Sequence, residues 1–228
     1  MFEPFLNREI EVEWWLYEHP DESLGRLGYC SGTDPVDHDN TKSDASSQAM
    51  YIMARQRGSQ PKRIVARSFC KPTKATDFYE QAIMAQIYFN NHKNLIESNR
   101  NGMIRYYELN GFIGLLKEEP IPKRKLIKRW VGQIGARKNA DSEREMKRII
   151  LQYTTDYCHL IPDIDLLDQL LRWGNVNTDA AVAFAWMLIH DDDLGHVQDK
   201  REEENKSSPW KMGYVRNDSG KIVRKRGS

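Results

Sequence analysis

The order of apolar segments in the first half of this 228-residue chain constrains the possible folds more than any other feature. Residues 26–33 form an apolar run that predicts a strand, and the strand ends at Asp34 because Pro35 removes a backbone donor and restricts the residue before it. Two further apolar runs, 49–55 and 63–69, lie on either side of turn-forming residues. This arrangement predicts a β-hairpin.

A helix and a further strand follow the hairpin. Apolar residues recur at helical spacing from Phe78 to Phe89, and residues 94–97 form a short buried strand. A helix between two strands favours a right-handed crossover, and the strands before and after it then pair in parallel. The chain is therefore predicted to have an α/β fold.

The second half of the chain is predicted to be mostly helical. A helix with Thr178 as its N-cap carries Asp179 in its first turn, where the helix dipole favours a carboxylate. The other predicted elements are helices over 103–109, 141–157 and 164–173, a short strand over 112–116, and a basic loop or hairpin over 117–140.

Length and composition predict one soluble domain. The chain is long enough for one core, its mean hydropathy is −0.72, and no apolar run approaches the roughly 20 residues of a membrane span. Its start lacks the pattern of a secretory signal, and its three scattered cysteines are typical of reduced cytoplasmic thiols. The expected division is a linker or packing segment over 1–25, the domain over 26–197 and a flexible charged tail over 198–228.

Three carboxylates lie at the ends of predicted elements. Asp34 and Glu97 each follow one of the two parallel strands, so we expect both at the same sheet edge, where open α/β sheets bind ligands. Two Mg²⁺ or Mn²⁺ ions bound by carboxylates, roughly 3.5–4 Å apart, are typical of phosphodiester hydrolysis. Asp34, Glu97 and Asp179 are therefore predicted to be catalytic metal ligands, with Asp34 bridging two ions. Asp44 or Asp39 is expected to add a water-mediated contact.

A second acidic run, 191–193, competes with Asp179 for a place in this site. The two lie about 12 residues apart on one predicted helix, which is about 18 Å at a rise of roughly 1.5 Å per residue, so they cannot share a site. Asp179 is preferred because it lies at the favourable end of the helix and has apolar neighbours. The run 191–193 is predicted to be solvated, and His190 and His196 to be surface or capping residues.

Each acid also has a purely structural interpretation. An aspartate before proline, such as Asp34, is most often a turn former, and Asp179 alone is typical of a helix start. Glu97 is harder to explain in this way, because a glutamate that ends a buried strand is costly unless it is paired or bound to metal. Only the combination of the three acids favours catalysis.

Basic residues are concentrated in one segment although the net charge is only +1. The segment 117–148 is rich in lysine and arginine while the acids cluster elsewhere, which predicts a basic surface beside an acidic pocket. The same charges are also compatible with solvated helix faces. The candidate DNA-binding residues are Lys123, Arg124, Lys125, Lys128, Arg129, Arg137 and Lys138.

Several of these motifs together resemble the nuclease domain of tailed-phage terminase large subunits. The resemblance covers about residues 26–190, and its most specific part is the Glu-x-Asn-x-x-Gly element at Glu97. Its components are Gly-Thr-Asp-Pro at 32–35, a polar loop with a later aspartate, the hairpin and helix, the Glu97 element, a basic connector, and Thr-Asp-Ala-Ala-Val-Ala-Phe at 178–184.

This resemblance implies an RNase H-like fold, with a central mixed β-sheet flanked by α-helices. It implies metal-dependent cutting of concatemeric double-stranded DNA during genome packaging, with Asp34, Glu97 and Asp179 as the acids. Asn99 and Gly102 are expected to shape the exit from the Glu97 strand. The implied partners are DNA, the terminase ATPase domain, the small terminase subunit and the portal, in the host cytoplasm and without a membrane.

No P-loop of the form Gly-x-x-x-x-Gly-Lys-Ser/Thr occurs in the chain, so the ATPase motor is expected elsewhere. Two other functions stay open. One is another RNase H-like nuclease, such as a Holliday-junction resolvase or a transposase-like enzyme. The other is a non-catalytic DNA-binding adaptor, in which the acids are structural and the basic segment contacts phosphates.

Overall fold

The computed structural model describes residues 11–37, 47–99, 101–120, 133–173, 178–207, 214–216 and 222–224. The chain divides into two compact units, Met1–Asp191 and Asp192–Ser228. The second unit contains the end of the last long helix and two short antiparallel strands, β6 (Tyr214–Arg216) and β7 (Ile222–Arg224). None of the described helices combines the length and the apolar character that a bilayer span requires.

The first unit is built on a mixed sheet with the strand order β1-β4-β3-β2-β5. Its strands are β1 (Trp14–Leu16), β2 (Tyr29–Asp34), β3 (Gln48–Ala54), β4 (Arg63–Cys70) and β5 (Asn94–Ile96). All neighbours are antiparallel except β5, which runs parallel to β2. The predicted hairpin and the predicted parallel pair are therefore confirmed.

The described residues form five α-helices, which lie on both faces of the sheet. They are α1 (Ala75–Tyr88), α2 (Gly102–Leu109), α3 (Ala140–Tyr157), α4 (Ile164–Leu171) and α5 (Asp179–Ser207). Buried residues of α1 and α2 share one hydrophobic core with the sheet, and residues of α3 and α5 share another with β5. The prediction of an α/β fold with a mixed sheet flanked by helices is confirmed.

Side chains of the strands alternate between these two cores, as the pleat of a strand requires. In β3, Ile52 lies in the core with α1, whereas the ring of Tyr51 packs against Phe184 of α5 with centroids 6.0 Å apart. In β5, Ile96 joins the core with α1 and Leu95 joins the core with α5. The face on which a polar side chain lies therefore follows from its position in the strand.

Gly32 lets α5 approach β2 very closely. A Cβ atom at this position would lie 2.0 Å from the backbone nitrogen of Met187 and 2.4 Å from the carbonyl oxygen of Ala183. No side chain fits there, so the backbones of strand and helix meet directly. This contact holds Ala183 and Met187 of α5 against the middle of β2, and it thereby sets the position of the helix that begins at Asp179.

Two local predictions are wrong. The apolar residues 112–116 do not form a regular strand, because Ile113–Leu115 is a 3₁₀ helix and Leu116 makes only a single bridge to Asn94. The chain leaves α2 through Gly111, which has φ +77°, and this tight turn leaves too few residues for a strand. The first long strand begins at Tyr29 rather than at residue 26, since residues 26–28 are also a 3₁₀ helix.

Candidate active site

Asp34 and Glu97 lie at the adjacent ends of two parallel strands. Asp34 is the last residue of β2, and Glu97 follows β5 directly. Thr33 is the register partner of Ile96, and the amide of Glu97 donates a 3.0 Å hydrogen bond to the carbonyl oxygen of Thr33. The structure therefore brings the two carboxylates to neighbouring positions at the C-terminal ends of these strands.

Asp179 reaches the same edge of the sheet from α5. Its carboxylate Oδ2 accepts a 2.8 Å hydrogen bond from the backbone N–H of Ser47. Ser47 lies just before β3, in which Ala49 is the cross-strand partner of Asp34. Asp34, Glu97 and Asp179 thus come from three elements and meet at one end of the sheet, which we name the acid edge.

The three acids of the acid edge share the face of the sheet that α5 covers. Gly32 and Leu95 both face α5, and they precede Asp34 and Glu97 by two residues, which is the period of a strand. Asp34 is 9% exposed and Glu97 is 8% exposed. Carboxylates so little exposed need compensation by donors or cations, because burial and a neighbouring negative charge both disfavour the ionised form.

An extended segment lies beside Glu97 on the other side from β2. Ala136 forms a parallel bridge with Glu97, and its amide donates a 2.8 Å hydrogen bond to the carbonyl oxygen of Ile96. Gly135, with φ +78°, permits this approach, since a Cβ there would lie 2.8 Å from the same carbonyl oxygen. The residues after Ala136 therefore pass directly along the acid edge.

Those residues are basic and are held in place on both sides. The side chain of Asn99 donates to the carbonyl oxygen of Lys138 at 3.0 Å and accepts from its amide at 3.2 Å. The next residue, Asn139, begins α3 with a capping box that includes Ser142. Arg137 and Lys138 are thus placed between Ala136, the bridge partner of Glu97, and the N-terminus of α3.

Several predicted site residues lie outside the described part of the chain. They are Asp39, Asp44, Lys123, Arg124, Lys125, Lys128 and Arg129. Of the predicted DNA-binding set, the structure describes Arg137 and Lys138, and both lie next to the acid edge.

The acid edge is not a preformed coordination site in the described residues. Among them, no three His, Cys, Asp or Glu side chains are arranged to hold a metal ion. The side chains at this edge are carboxylates, whose oxygens suit hard cations such as Mg²⁺ and Mn²⁺ better than soft metals. The residues present therefore fit such an ion chemically, although they do not already enclose one.

The predictions for His190 and Asp191 are wrong. His190 is fully buried with its Nδ1 atom 3.1 Å from the carbonyl oxygen of Ser31, and burial lowers its pKa to about 3. Asp191 is ion-paired rather than solvated, with Arg55 at 2.7 Å and Lys62 at 3.1 Å. Both predictions assumed that the helix ends here, but α5 continues past these residues and they still face the sheet.

The sequence analysis did not predict a buried polar network that lies on the face of the sheet opposite the acid edge. It contains Ser31, Thr33, His92 and Asn94, all with no exposed surface. The available signal was the alternation of Ser31 and Thr33 in an otherwise buried strand, since buried polar side chains need specific partners.

Comparison with known proteins gives no family assignment. No family model matches the chain, and no curated protein matches it either. The protein is therefore classified by its fold and site alone. It is an α/β protein with a five-stranded mixed sheet flanked by helices, and three acidic residues lie at one end of that sheet.

Proposed function

We propose that this chain is a metal-dependent endonuclease with an RNase H-like fold, namely the nuclease domain of a phage terminase large subunit. Its substrate is concatemeric double-stranded DNA, which it cuts during genome packaging. The observation that carries the proposal is the convergence of Asp34, Glu97 and Asp179 on one end and one face of the sheet. The mixed sheet with helices on both faces is compatible with the fold that the sequence resemblance implies.

Each residue of the acid edge has a distinct part in this proposal. Asp34, at the end of β2, lies between the other two acids in the arrangement of elements, and together with Glu97 and Asp179 it would hold the metal ions. The backbone N–H of Ser47 orients the Asp179 carboxylate through the 2.8 Å hydrogen bond. Bound Mg²⁺ or Mn²⁺ supplies activation of the attacking water and stabilisation of the leaving oxygen.

Arg137 and Lys138 bind the phosphate backbone of DNA in this proposal. They follow the residue that pairs with Glu97, so a duplex held by them passes next to the acids. Phosphate contacts of this kind position a duplex without selecting its sequence. The proposed partners beyond DNA are the terminase ATPase domain, the small terminase subunit and the portal, in the host cytoplasm.

The test is cleavage of supercoiled plasmid with Mn²⁺ or Mg²⁺. The wild-type chain is expected to cut, and Asp34→Asn and Glu97→Gln are each expected to reduce cutting more than about 100-fold, because even the outer-shell partners of metal ligands typically account for 10–100-fold. Asp168→Asn is the matched control, since it neutralises an exposed acid that pairs with Arg172 on α4. Equal loss in the control, or wild-type cutting in Asp34→Asn, contradicts the proposal.

A second candidate function is a non-catalytic DNA-binding adaptor, which the position of the basic residues Arg137 and Lys138 beside the acid edge also suits. Mn²⁺ separates the two. An ion bound to the acid edge at 100 times its dissociation constant stabilises the fold by about 2.7 kcal/mol, whereas an adaptor melts at the same temperature with or without Mn²⁺. Comparing linear with branched DNA separates a terminase-like nuclease from a Holliday-junction resolvase.

A further inference from the structure

A fully buried polar network joins β2 to β5 on the face of the sheet opposite the acids. The Oδ1 atom of Asn94 lies 3.1 Å from the hydroxyl of Ser31 and 3.1 Å from that of Thr33, and its Nδ2 atom donates to Thr33 Oγ1 at 2.9 Å. The Nε2 atom of His92 lies 2.9 Å from the hydroxyl of Ser31. Asn94 is therefore the residue that connects the two strands through their side chains.

This network is neutral. Burial lowers the pKa of His92 to about 4, so its ring carries one proton at neutral pH. Its Nδ1 atom lies 3.1 Å from the carbonyl oxygen of Phe89, which can only accept, so Nδ1 carries the proton and Nε2 accepts the one hydroxyl proton of Ser31. The 3.1 Å approach of Asn94 Oδ1 to Ser31 is then a polar contact without a proton of its own, and the side-chain hydrogen bonding of Asn94 to β2 is with Thr33. Hydrogen bonds are directional, so a buried network of them between neutral groups holds those groups in one arrangement.

The arrangement specified here is the register of the β2–β5 pair. Asn94 is the register partner of Ser31 and also reaches Thr33, two residues further along β2. A slip of one residue would turn the Asn94 side chain to the other face and leave buried hydroxyl and amide groups without partners. Because β5 has only three residues, its backbone hydrogen bonds alone fix the register weakly.

The register in turn places the acids. Glu97 comes three residues after Asn94, and its amide donates to the carbonyl oxygen of Thr33, the residue before Asp34. The Asn94 side chain lies on the α1 face, whereas the acids lie on the α5 face. Asn94 therefore acts on the acids through the strand register and not by contact with them.

We propose that Asn94 is a positioning residue of the acid edge, which holds Glu97 beside Asp34 by tying β5 to Thr33. The catalytic consequence rests on the proposed nuclease function, whereas the effect on the register does not.

The experiment uses the full chain and two measurements. Asn94→Leu removes the amide at similar size. We expect the Mn²⁺ concentration for half-maximal plasmid cleavage to rise about tenfold, the lower end of the range for outer-shell residues, and the amide of Glu97 to exchange hydrogen about tenfold faster. Tyr51→Phe is the control, because it removes one buried hydrogen bond, 2.6 Å to Asp163, without touching the β2–β5 pair. It is expected to leave both values unchanged.

A second pair of variants separates positioning from general stability. Thr33→Val removes the hydroxyl that Asn94 contacts and is expected to share the defect, while Thr33→Ser keeps the hydroxyl and is expected to retain the wild-type values. If Asn94→Leu fails to fold, the comparison of Thr33→Val with Thr33→Ser tests the proposal in its place. Wild-type Mn²⁺ dependence and wild-type Glu97 exchange in folded Asn94→Leu or Thr33→Val overturn the proposal.

Failure of the proposed function has a different signature. A wild-type chain that neither cuts DNA nor responds to Mn²⁺ removes the nuclease assignment. Exchange of the Glu97 amide then decides the register proposal alone: faster exchange in Asn94→Leu supports it, and unchanged exchange overturns it.

Discussion

The acid edge and the surroundings of Arg67 both bury charged side chains against the same sheet, but they balance those charges differently. In the Arg67 cluster, which consists of Arg67, Asp163, Asp165 and Tyr51, the guanidinium lies 3.1 Å from Asp163 and 3.0 Å from Asp165. The Tyr51 hydroxyl donates to the second oxygen of Asp163 at 2.6 Å. The acid edge instead gathers carboxylates from three separate elements at one end of the sheet.

The difference indicates what each region contributes. In the Arg67 cluster, burial and the Asp163 carboxylate raise the pKa of Tyr51, so the hydroxyl stays protonated and remains a donor. Opposite charges that satisfy each other link β4 to the start of α4 and hold the structure together. Like charges brought close together cost stability, and such arrangements are common where a protein binds ions or performs chemistry.

The largest expected effect tests the stabilising role of the Arg67 cluster. Arg67→Met leaves the buried Asp163 carboxylate without its cation and is expected to lower the free energy of unfolding by about 3–5 kcal/mol. Urea denaturation measures this. Asp34→Asn is the contrasting variant and is expected to change the same quantity by less than about 1 kcal/mol, because the amide keeps the shape of the side chain and an acceptor oxygen for its hydrogen bonds. Equal losses in the two variants would remove the distinction between the regions.

A smaller expected effect concerns the pH dependence of stability, and it extends the comparison to two buried neutral side chains, His92 and His190. Burial lowers the pKa of His92 to about 4 and that of His190 to about 3, below the ordinary value near 6.5. The folded state therefore binds fewer protons than the unfolded state. The contribution of the two neutral histidines to the free energy of unfolding is complete above about pH 6.5, and it is lost as the pH falls toward 4 for His92 and toward 3 for His190. Between pH 7 and 5 we expect a loss of ~2 kcal/mol for each histidine.

Urea denaturation at the two pH values checks this expectation. His92→Gln is expected to remove one histidine's share of the pH dependence, whereas His19→Gln, at a histidine that bonds Tyr88 in an exposed position, leaves it intact. An unchanged slope in His92→Gln would mean that this histidine does not stay neutral in the folded state.

The smallest expected effect concerns the basic side of the acid edge. Arg137→Ala and Lys138→Ala are each expected to reduce the slope of log affinity for duplex DNA against log salt by about 1, because each removes one of the proposed phosphate contacts. Lys93→Ala is the control, since Lys93 lies just before β5, whereas Glu97 follows its other end. Fluorescence anisotropy over a salt series measures the slope, and a similar reduction in the control contradicts a local phosphate site.

The sequence was sufficient where a local pattern carries the information. The hairpin and the start of α5 at Asp179 follow from turn chemistry and apolar spacing. The crossover rule gives the parallel direction of β5 relative to β4, the strand before the helix, but β5 pairs with β2. The ion pairs of Asp191 could not be predicted, because they depend on α5 continuing past that residue and facing Arg55. The Asn94 network was only partly predictable: the alternation of Ser31 and Thr33 indicates buried polar partners, but an asparagine in a short strand does not reveal which hydroxyls it meets.

The close approach at Gly32 has a consequence for how the arrangement of the acid edge can be lost. One added methyl group at this position would push the backbone of α5 away from β2, because the space is already occupied by Met187 and Ala183. The helix that shifts is the one that carries Asp179, while Asp34 stays on the strand. The spacing of the three acids is therefore sensitive to a residue that carries no functional group, and a substitution there separates them without altering any of their side chains.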